Sequence, residues 1–205
     1  MRVLGVWATT IGLLLSAASA SAAPRYLDRN SAEWEMLNFA TCIANGRTEL
    51  ARQILDYPLD SPDQRQLITE KLFGQNVCAH GKMTIRSPSM LPIVGELAVA
   101  FIDDRYAKYD LAGEVVNTPP IAARNGSEIL ALCAVRGSSA SAVNLVRADP
   151  GADAESAAMT ALTPTLSACT PPGRNIQLST ATVKRLIAIV LYRYALQAEA
   201  RAAAH

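Results

Sequence analysis

The stretch Phe39-Ala-Thr-Cys-Ile-Ala-Asn-Gly46 decides the fold, because a similar stretch returns in the second half of the chain as Leu130-Ala-Leu-Cys-Ala-Val-Arg-Gly137. The cysteine and the glycine keep their places in both copies. Beyond them, Gly-x4-Ala-x3-Leu in the first copy returns as Gly-x4-Ala-x3-Val in the second. Self-similarity at a fixed distance is typical of a duplicated structural unit. We therefore predict an all-α protein of about eight helices, built as two tandem four-helix units related by internal duplication.

The four cysteines follow the same plan, since Cys78 comes 36 residues after Cys42 and Cys169 comes 36 residues after Cys133. An even number of cysteines in an exported protein indicates disulfides. If each unit runs up-down-up-down, its first and third helices are parallel, and its two cysteines lie at the same end. We therefore predict the pairs Cys42–Cys78 and Cys133–Cys169. A metal site is the first rival, and it lacks the usual Cys-x-x-Cys spacing. A redox-active cysteine is the second, and it lacks an obvious histidine partner.

The N-terminus is predicted to be a secretory signal peptide over residues 1–22. Arg2 supplies the positive charge, Val3 to Leu15 is apolar, and Ala20-Ser-Ala22 is a small-residue cleavage site. The rival interpretation is an uncleaved anchor, but the apolar run is short for a membrane span. We expect a periplasmic or secreted protein with no stable membrane span after cleavage.

The first unit, residues 24–109, is predicted to contain four helices. A capping box starts the first helix at Asn30, and glycine in the left-handed conformation ends it at Gly46. Thr48 is expected to cap the second helix and Ser61, followed by Pro62, the third. The fourth helix is predicted to run from about Ser87-Pro-Ser89 to about Tyr109.

Residues 110–126 contain two glycines and two prolines and are predicted to be a connection without helical periodicity. The second unit, residues 127–205, is expected to repeat the four helices. Asp153 is predicted to cap its third helix, Pro164 to kink or break it, and Ser179 or Thr180 to cap the last.

The charge balance argues against partners that are bound mainly through net positive charge. The chain has 19 basic and 18 acidic residues, and removal of Arg2 with the signal makes the two numbers equal. A neutral, evenly charged protein has no electrostatic basis for binding nucleic acid or an anionic membrane. We predict neither partner.

Glu96 is the single candidate for catalysis, because it lies among apolar residues in the predicted fourth helix. A desolvated carboxyl group has a raised pKa and can act as a general acid. The alternatives are an exposed helix edge or an internal partner for an arginine. His80, beside Cys78, is either a weak ligand or a solvated loop residue. No phosphate-binding, dinucleotide-binding, metalloprotease or serine-nucleophile motif is present, so we predict no cofactor and no metal.

The chain resembles small exported helical proteins of alphaproteobacteria. The resemblance lies in the Phe39-x-x-Cys42 helix, a second cysteine 30 to 40 residues later, and a capped Ala/Leu-rich helix ending near Leu191-Tyr192. It implies a periplasmic setting and no particular activity.

The leading functional prediction is a non-enzymatic binding or scaffolding protein whose partner is an envelope protein or peptide. The alternative is a carboxylate-dependent hydrolase or other envelope enzyme that uses Glu96. A protective or structural envelope protein is a third hypothesis.

Overall fold

The computed structural model describes residues 32–73, 78, 88–173 and 177–204. The predicted signal peptide, Asn30, His80 and His205 lie outside these residues. Within them the secondary structure is entirely helical, with nine α-helices and no strand. The helices are α1 (Ala32–Gly46), α2 (Thr48–Asp56), α3 (Pro62–Leu67), α4 (Leu91–Asp103), α5 (Leu111–Asn117), α6 (Gly126–Gly137), α7 (Ser139–Arg147), α8 (Asp153–Cys169) and α9 (Thr180–Ala203). A π-helical segment, Ile68–Phe73, continues α3. The predicted fold class, all-α, is confirmed.

The centre of the molecule is the contact between α4 and α9. Every residue from Ile93 to Ile102 in α4 and from Leu186 to Tyr192 in α9 is buried, which is typical of helix segments inside a core. On the first-half side, α1 packs against α4, and α5, α6 and α7 pack against α9. One hydrophobic cluster therefore draws its side chains from both halves of the chain.

Gly95 allows α4 and α9 to approach closely. A Cβ atom at this position would lie 2.3 Å from Cβ and 2.9 Å from Cα of Arg185. Only glycine lets the two backbones meet at this distance without displacement.

The halves share local features, although the duplication itself stays a prediction. In each half a helix ends at glycine, one residue interrupts the chain, and a nine-residue helix follows. The later parts differ, because α8 has 17 residues and the short α3 has six. The last helix has 13 residues in the first half and 24 in the second.

The predicted connection is wrong in one respect, since it contains helix α5. Asp110 begins this helix, and its side chain accepts a hydrogen bond of 3.0 Å from the amide of Gly113. The fourth helix also ends earlier than predicted, at Asp103. The chain then turns so that Tyr106 is fully buried, and Arg147 donates to three carbonyls of this turn.

Two predicted helix caps are confirmed and two are wrong. Ser61 and Ser179 each accept a hydrogen bond from the amide three positions on, at 3.3 and 3.2 Å. Thr48 lies inside α2, and its hydroxyl donates to the carbonyl of Ala44. Asp153 is the first residue of α8, so the capping position before the helix belongs to Ala152, whose side chain makes no capping hydrogen bond.

α1 and α6 end at Gly46 and Gly137 as predicted, but the left-handed conformation predicted for Gly46 is wrong. Among the described glycines, only Gly151 and Gly173 have positive φ. The helix breaks come one residue later, at Arg47 and Ser138, whose φ/ψ values of −140°/47° and −153°/66° are neither helical nor extended. Gly137 serves packing instead, because a Cβ there would lie 2.6 Å from Cγ2 of Thr165. At Pro164 the predicted break is absent, since α8 continues through it.

Candidate functional site

The two predicted disulfides are present. Cys42 bonds to Cys78 and Cys133 bonds to Cys169, with Cα atoms 5.8 Å apart in both pairs. This distance lies within the normal range for an unforced bridge. Disulfides form and persist in oxidising environments, so they point to an extracytoplasmic location.

Glu96 pairs with an arginine inside the core. Its side chain is buried, and Arg185 Nε donates to its Oε1 at 2.8 Å. Burial raises the pKa of Glu96, and the guanidinium of Arg185 opposes that shift. Glu96 lines none of the cavities described below. The geometry favours the role of an internal arginine partner, one of the interpretations left open by the sequence.

The other buried carboxylates are also paired. Glu128 accepts hydrogen bonds from Arg124 and Arg193, both at under 3 Å. Glu155 accepts from Lys184 at 3.2 Å and joins α8 to the start of α9. Within the described residues, every buried carboxylate therefore meets a cation from another part of the fold. Such pairs orient helices, and breaking one leaves an uncompensated buried charge.

A fourth charged cluster surrounds Glu199 near the end of α9. Arg52 lies 3.1 Å and Arg105 2.5 Å from its carboxylate, and the Tyr106 hydroxyl donates at 2.8 Å. Burial alone would raise the pKa of Glu199, but the hydrogen bonds from Arg105 and Tyr106 lower it. Burial and the contact with Glu199 together raise the pKa of Tyr106 to about 12. The cluster joins α2, the turn after α4, and α9, and so connects the two halves.

The surface of α8 has a different character. No Asp, Glu, Lys or Arg occurs from Ser156 to Gly173, the longest such run after the predicted signal peptide. We use the name "α8 face" for the exposed residues of this helix after its first residue, Asp153; they are all small and uncharged. They are Ala154, Ser156, Ala157, Thr160, Ala161, Thr163, Pro164, Ser167 and Ala168.

An open groove runs along one side of the α8 face, between α7 and α8. Its volume is about 470 Å³. Five alanines form most of its wall, and Ser141, Asn144 and Arg147 of α7 complete it. The alanines are Ala148, Ala154, Ala157, Ala158 and Ala161. Alanine methyl groups give the groove a mostly apolar wall, and Arg147 is its one charged lining residue.

A smaller crevice of about 160 Å³ lies on the other side, between α8, α6 and the start of α9. Leu130, Met159, Leu166 and Leu178 line it and are half-buried. Hydroxyls on α8 are engaged within the helix: Thr160, Thr163, Ser167 and Thr170 each donate to the carbonyl four residues back. The helix therefore presents a largely apolar surface with a groove on each side.

The fold does not require this neutral surface. At the same distance before Cys78, the first half carries Arg65, Glu70 and Lys71 on α3 and the π-helical segment. Exposed helix positions are best filled by Ala, Glu, Lys, Gln or Arg, whereas Thr costs up to about 0.7 kcal/mol and Pro about 3 kcal/mol relative to Ala. Thr160, Thr163 and Pro164 thus reduce helix stability without making core contacts.

No family model, curated protein or solved structure matches this chain. The resemblance to exported alphaproteobacterial proteins therefore stays a prediction.

The described residues contain no group of three or more His, Cys, Asp or Glu side chains that could hold a metal ion. Among them, no single helix is long and apolar enough to cross a membrane. The bent pair α6 and α7 passes that test on length and composition alone.

Proposed function

We propose that this protein is a non-enzymatic binding protein of the extracytoplasmic space, periplasmic or secreted, and that it binds its partner through the α8 face. The observation that carries the proposal is an exposed 17-residue helix whose outer surface has no charge between Ser156 and its end. Depletion of charge distinguishes the centre of protein interfaces from ordinary surface. The predicted signal peptide and the two disulfides support the location.

The chemistry of the α8 face suits binding and not catalysis. Acid–base catalysis needs a titratable group near the substrate, and nucleophilic catalysis needs an activated side chain. The α8 face offers methyl groups, hydroxyls that already donate to backbone carbonyls, and one proline. A partner would be held by shape and apolar contact, as expected for an envelope protein or a peptide segment.

The alternative function, a carboxylate-dependent hydrolase that uses Glu96, requires that carboxyl group to exchange protons with a substrate. The contact with Arg185 and the burial of Glu96 count against it. A general acid also needs to lie within hydrogen-bond reach of the reacting atom. Glu96 lines neither the groove nor the crevice beside α8, so no observation favours the enzyme over the binding protein.

Site-specific photocrosslinking in intact cells tests the proposal. We expect a photoreactive residue at Thr160, on the α8 face, to give a discrete crosslinked product. The matched control places the same residue at Ala202, which is exposed on α9 about 27 Å along that helix from Lys184, its contact with α8. A product from Ala202 but not from Thr160 would contradict the proposal.

A further inference from the structure

We propose that the bridge between Cys133 and Cys169 is a redox switch, whose reduction by a dithiol releases the end of α8 from α6. The bridge between Cys42 and Cys78 stays closed under the same conditions and is purely structural. This inference goes beyond the proposed function, because it requires no partner for the α8 face.

The two bridges close loops of equal length but lie in different surroundings. Cys78 is buried and belongs to the hydrophobic core cluster, although its partner Cys42 is exposed. In the second bridge Cys133 is exposed and Cys169 is half-buried, and both lie outside that cluster. Exposed disulfides are typically the labile or regulatory ones. The second bridge therefore has the surroundings of a reducible disulfide.

The chemistry of reduction also distinguishes the bridges, because the leaving sulfur must carry a negative charge. A thiolate of the reductant, for example the dithiol of a thiol–disulfide oxidoreductase, attacks the Cys133 sulfur, forms a mixed disulfide and expels the Cys169 thiolate, which takes up a proton. The second thiol of the reductant then breaks the mixed disulfide and frees the Cys133 thiol. Two electrons and two protons pass to the protein, and the reductant becomes a disulfide. Attack at Cys42 would instead expel a thiolate from Cys78 among apolar side chains, where charge is disfavoured.

The end of α8 has few attachments other than the bridge. Over this helix, which is described in full, the last buried side chain is that of Leu162. Beyond it, Leu166 is half-buried at the crevice between α8, α6 and α9, and Ser167 and Ala168 are exposed. The hydroxyls of Ser167 and Thr170 donate to carbonyls of α8 itself and make no link to another helix. The bridge is therefore the main tether of this segment to α6.

The first part of α8 is anchored independently, so that release stops near Pro164. Glu155 pairs with Lys184 of α9, and Leu162 is fully buried. Pro164 has no N–H to donate to the carbonyl of Thr160, so the helical hydrogen bonds are interrupted there. Segments with few buried contacts open locally while the rest of a protein stays folded. Reduction thus frees residues 164–169 and uncovers the apolar crevice beneath them.

Reduction kinetics of the oxidised full chain test the proposal. Dithiothreitol is added to the folded protein, N-ethylmaleimide stops the reaction at intervals, and peptide mass spectrometry measures the labelled fraction of each cysteine. We expect Cys133 and Cys169 to be freed at least about tenfold faster than Cys42 and Cys78. The matched control is the same reaction in concentrated urea, where the bridges should be reduced at similar rates because the fold no longer distinguishes them.

Hydrogen exchange of the partly reduced protein, followed by mass spectrometry, measures the opening. The amides of residues 165–169 should lose protection by about tenfold or more when the second bridge is reduced, whereas those of α4 and of the central part of α9 should keep theirs. C133S/C169S, which lacks this bridge, should show the same pattern before any reductant is added.

Equal reduction rates in the folded protein, or faster reduction of Cys42–Cys78, would overturn the inference. Unchanged protection of residues 165–169 after reduction would also overturn it, and so would a loss of protection throughout the molecule. The unmodified chain supplies both measurements, so they decide the question even if C133S/C169S misfolds. The crosslinking test at Thr160 is independent, so the proposed function and the switch can fail separately.

Discussion

Replacing Gly95 with alanine tests the closest helix contact in the molecule. In an exposed helix, Gly→Ala stabilises by about 1 kcal/mol, because alanine loses less backbone entropy. Here the added methyl group would lie 2.3 Å from Cβ, 2.6 Å from Cγ and 2.9 Å from Cα of Arg185. The Cα atom cannot rotate away, so α4 and α9 must separate.

The size of the effect follows from two opposing contributions. Overpacking in a close-packed core costs about 1–3 kcal/mol, and the upper end applies where backbone must move. Movement of Arg185 also loosens its contact with Glu96, which adds to the loss. After subtraction of the helix-propensity gain, we expect G95A to lower the free energy of unfolding by about 2 kcal/mol. For a chain of this length the midpoint of thermal unfolding should fall by about 4–8 °C.

Urea unfolding of the oxidised protein, followed by circular dichroism, measures this change, and thermal unfolding checks it. The matched control is G126A at the first residue of α6, where nothing lies within 4 Å of the added methyl group. The free energy of unfolding of G126A should equal that of the unmodified protein or exceed it by up to about 1 kcal/mol. If G95A behaved like G126A, the close approach of α4 to α9 would be refuted.

Three further predictions concern the second disulfide, the Glu96–Arg185 pair and the Asp103 carboxyl group. Replacing Cys133 and Cys169 with serine should lower the free energy of unfolding, measured in urea, by about 4 kcal/mol, because the unfolded chain is then no longer constrained by a closed loop of 36 residues. A decrease of less than 1 kcal/mol would show that the bridge adds little to stability. E96Q leaves Arg185 buried without its counter-charge and should lower the free energy of unfolding by about 3 kcal/mol. The double variant E96Q/R185M should lose less stability than the two single variants added together. Desolvation raises the pKa of Asp103 from 3.8 to about 6, so the folded state binds this proton more tightly and stability should fall as pH rises from about 4 to about 6. D103N should remove that slope and, because the residue is exposed, stabilise at pH 7 by no more than about 1 kcal/mol; an unchanged pH profile would contradict the assignment.

The features that could be predicted from the sequence are those that depend on local chemistry. The equal spacing of the cysteines led to the correct pairing, and Ser61 and Ser179 cap their helices as expected. The caps involve residues within one turn of a helix, and four cysteines can pair in only a few ways. The missed helix α5 lies among glycines and prolines, and it forms because Leu111 and Val115 are buried against other helices.

The long-range pairs could not be predicted in the same way. Glu96 and Arg185 are 89 residues apart, and their contact depends on the crossing of α4 and α9 at Gly95. The apolar neighbours of Glu96 left open whether its side chain is buried or exposed, and they gave no information about which cation would meet it. The sequence signal of the α8 face is the lack of charged residues between Ser156 and Gly173, whereas catalytic motifs are recognised by the reactive residues they contain.

The position of the second disulfide explains how α8 tolerates its composition. Pro164 has no N–H to donate to the carbonyl four residues back, and a proline in a helix interior costs about 3 kcal/mol. Cys169 is the last residue of α8 and is bonded to α6, and a bridge of this loop length contributes about 4 kcal/mol. The bridge thus offsets the weakness of the helix, so that its outer positions do not need strong helix formers or charged pairs. Freed from that requirement, those positions can be filled by side chains suited to contact with another surface, as the proposed binding role demands.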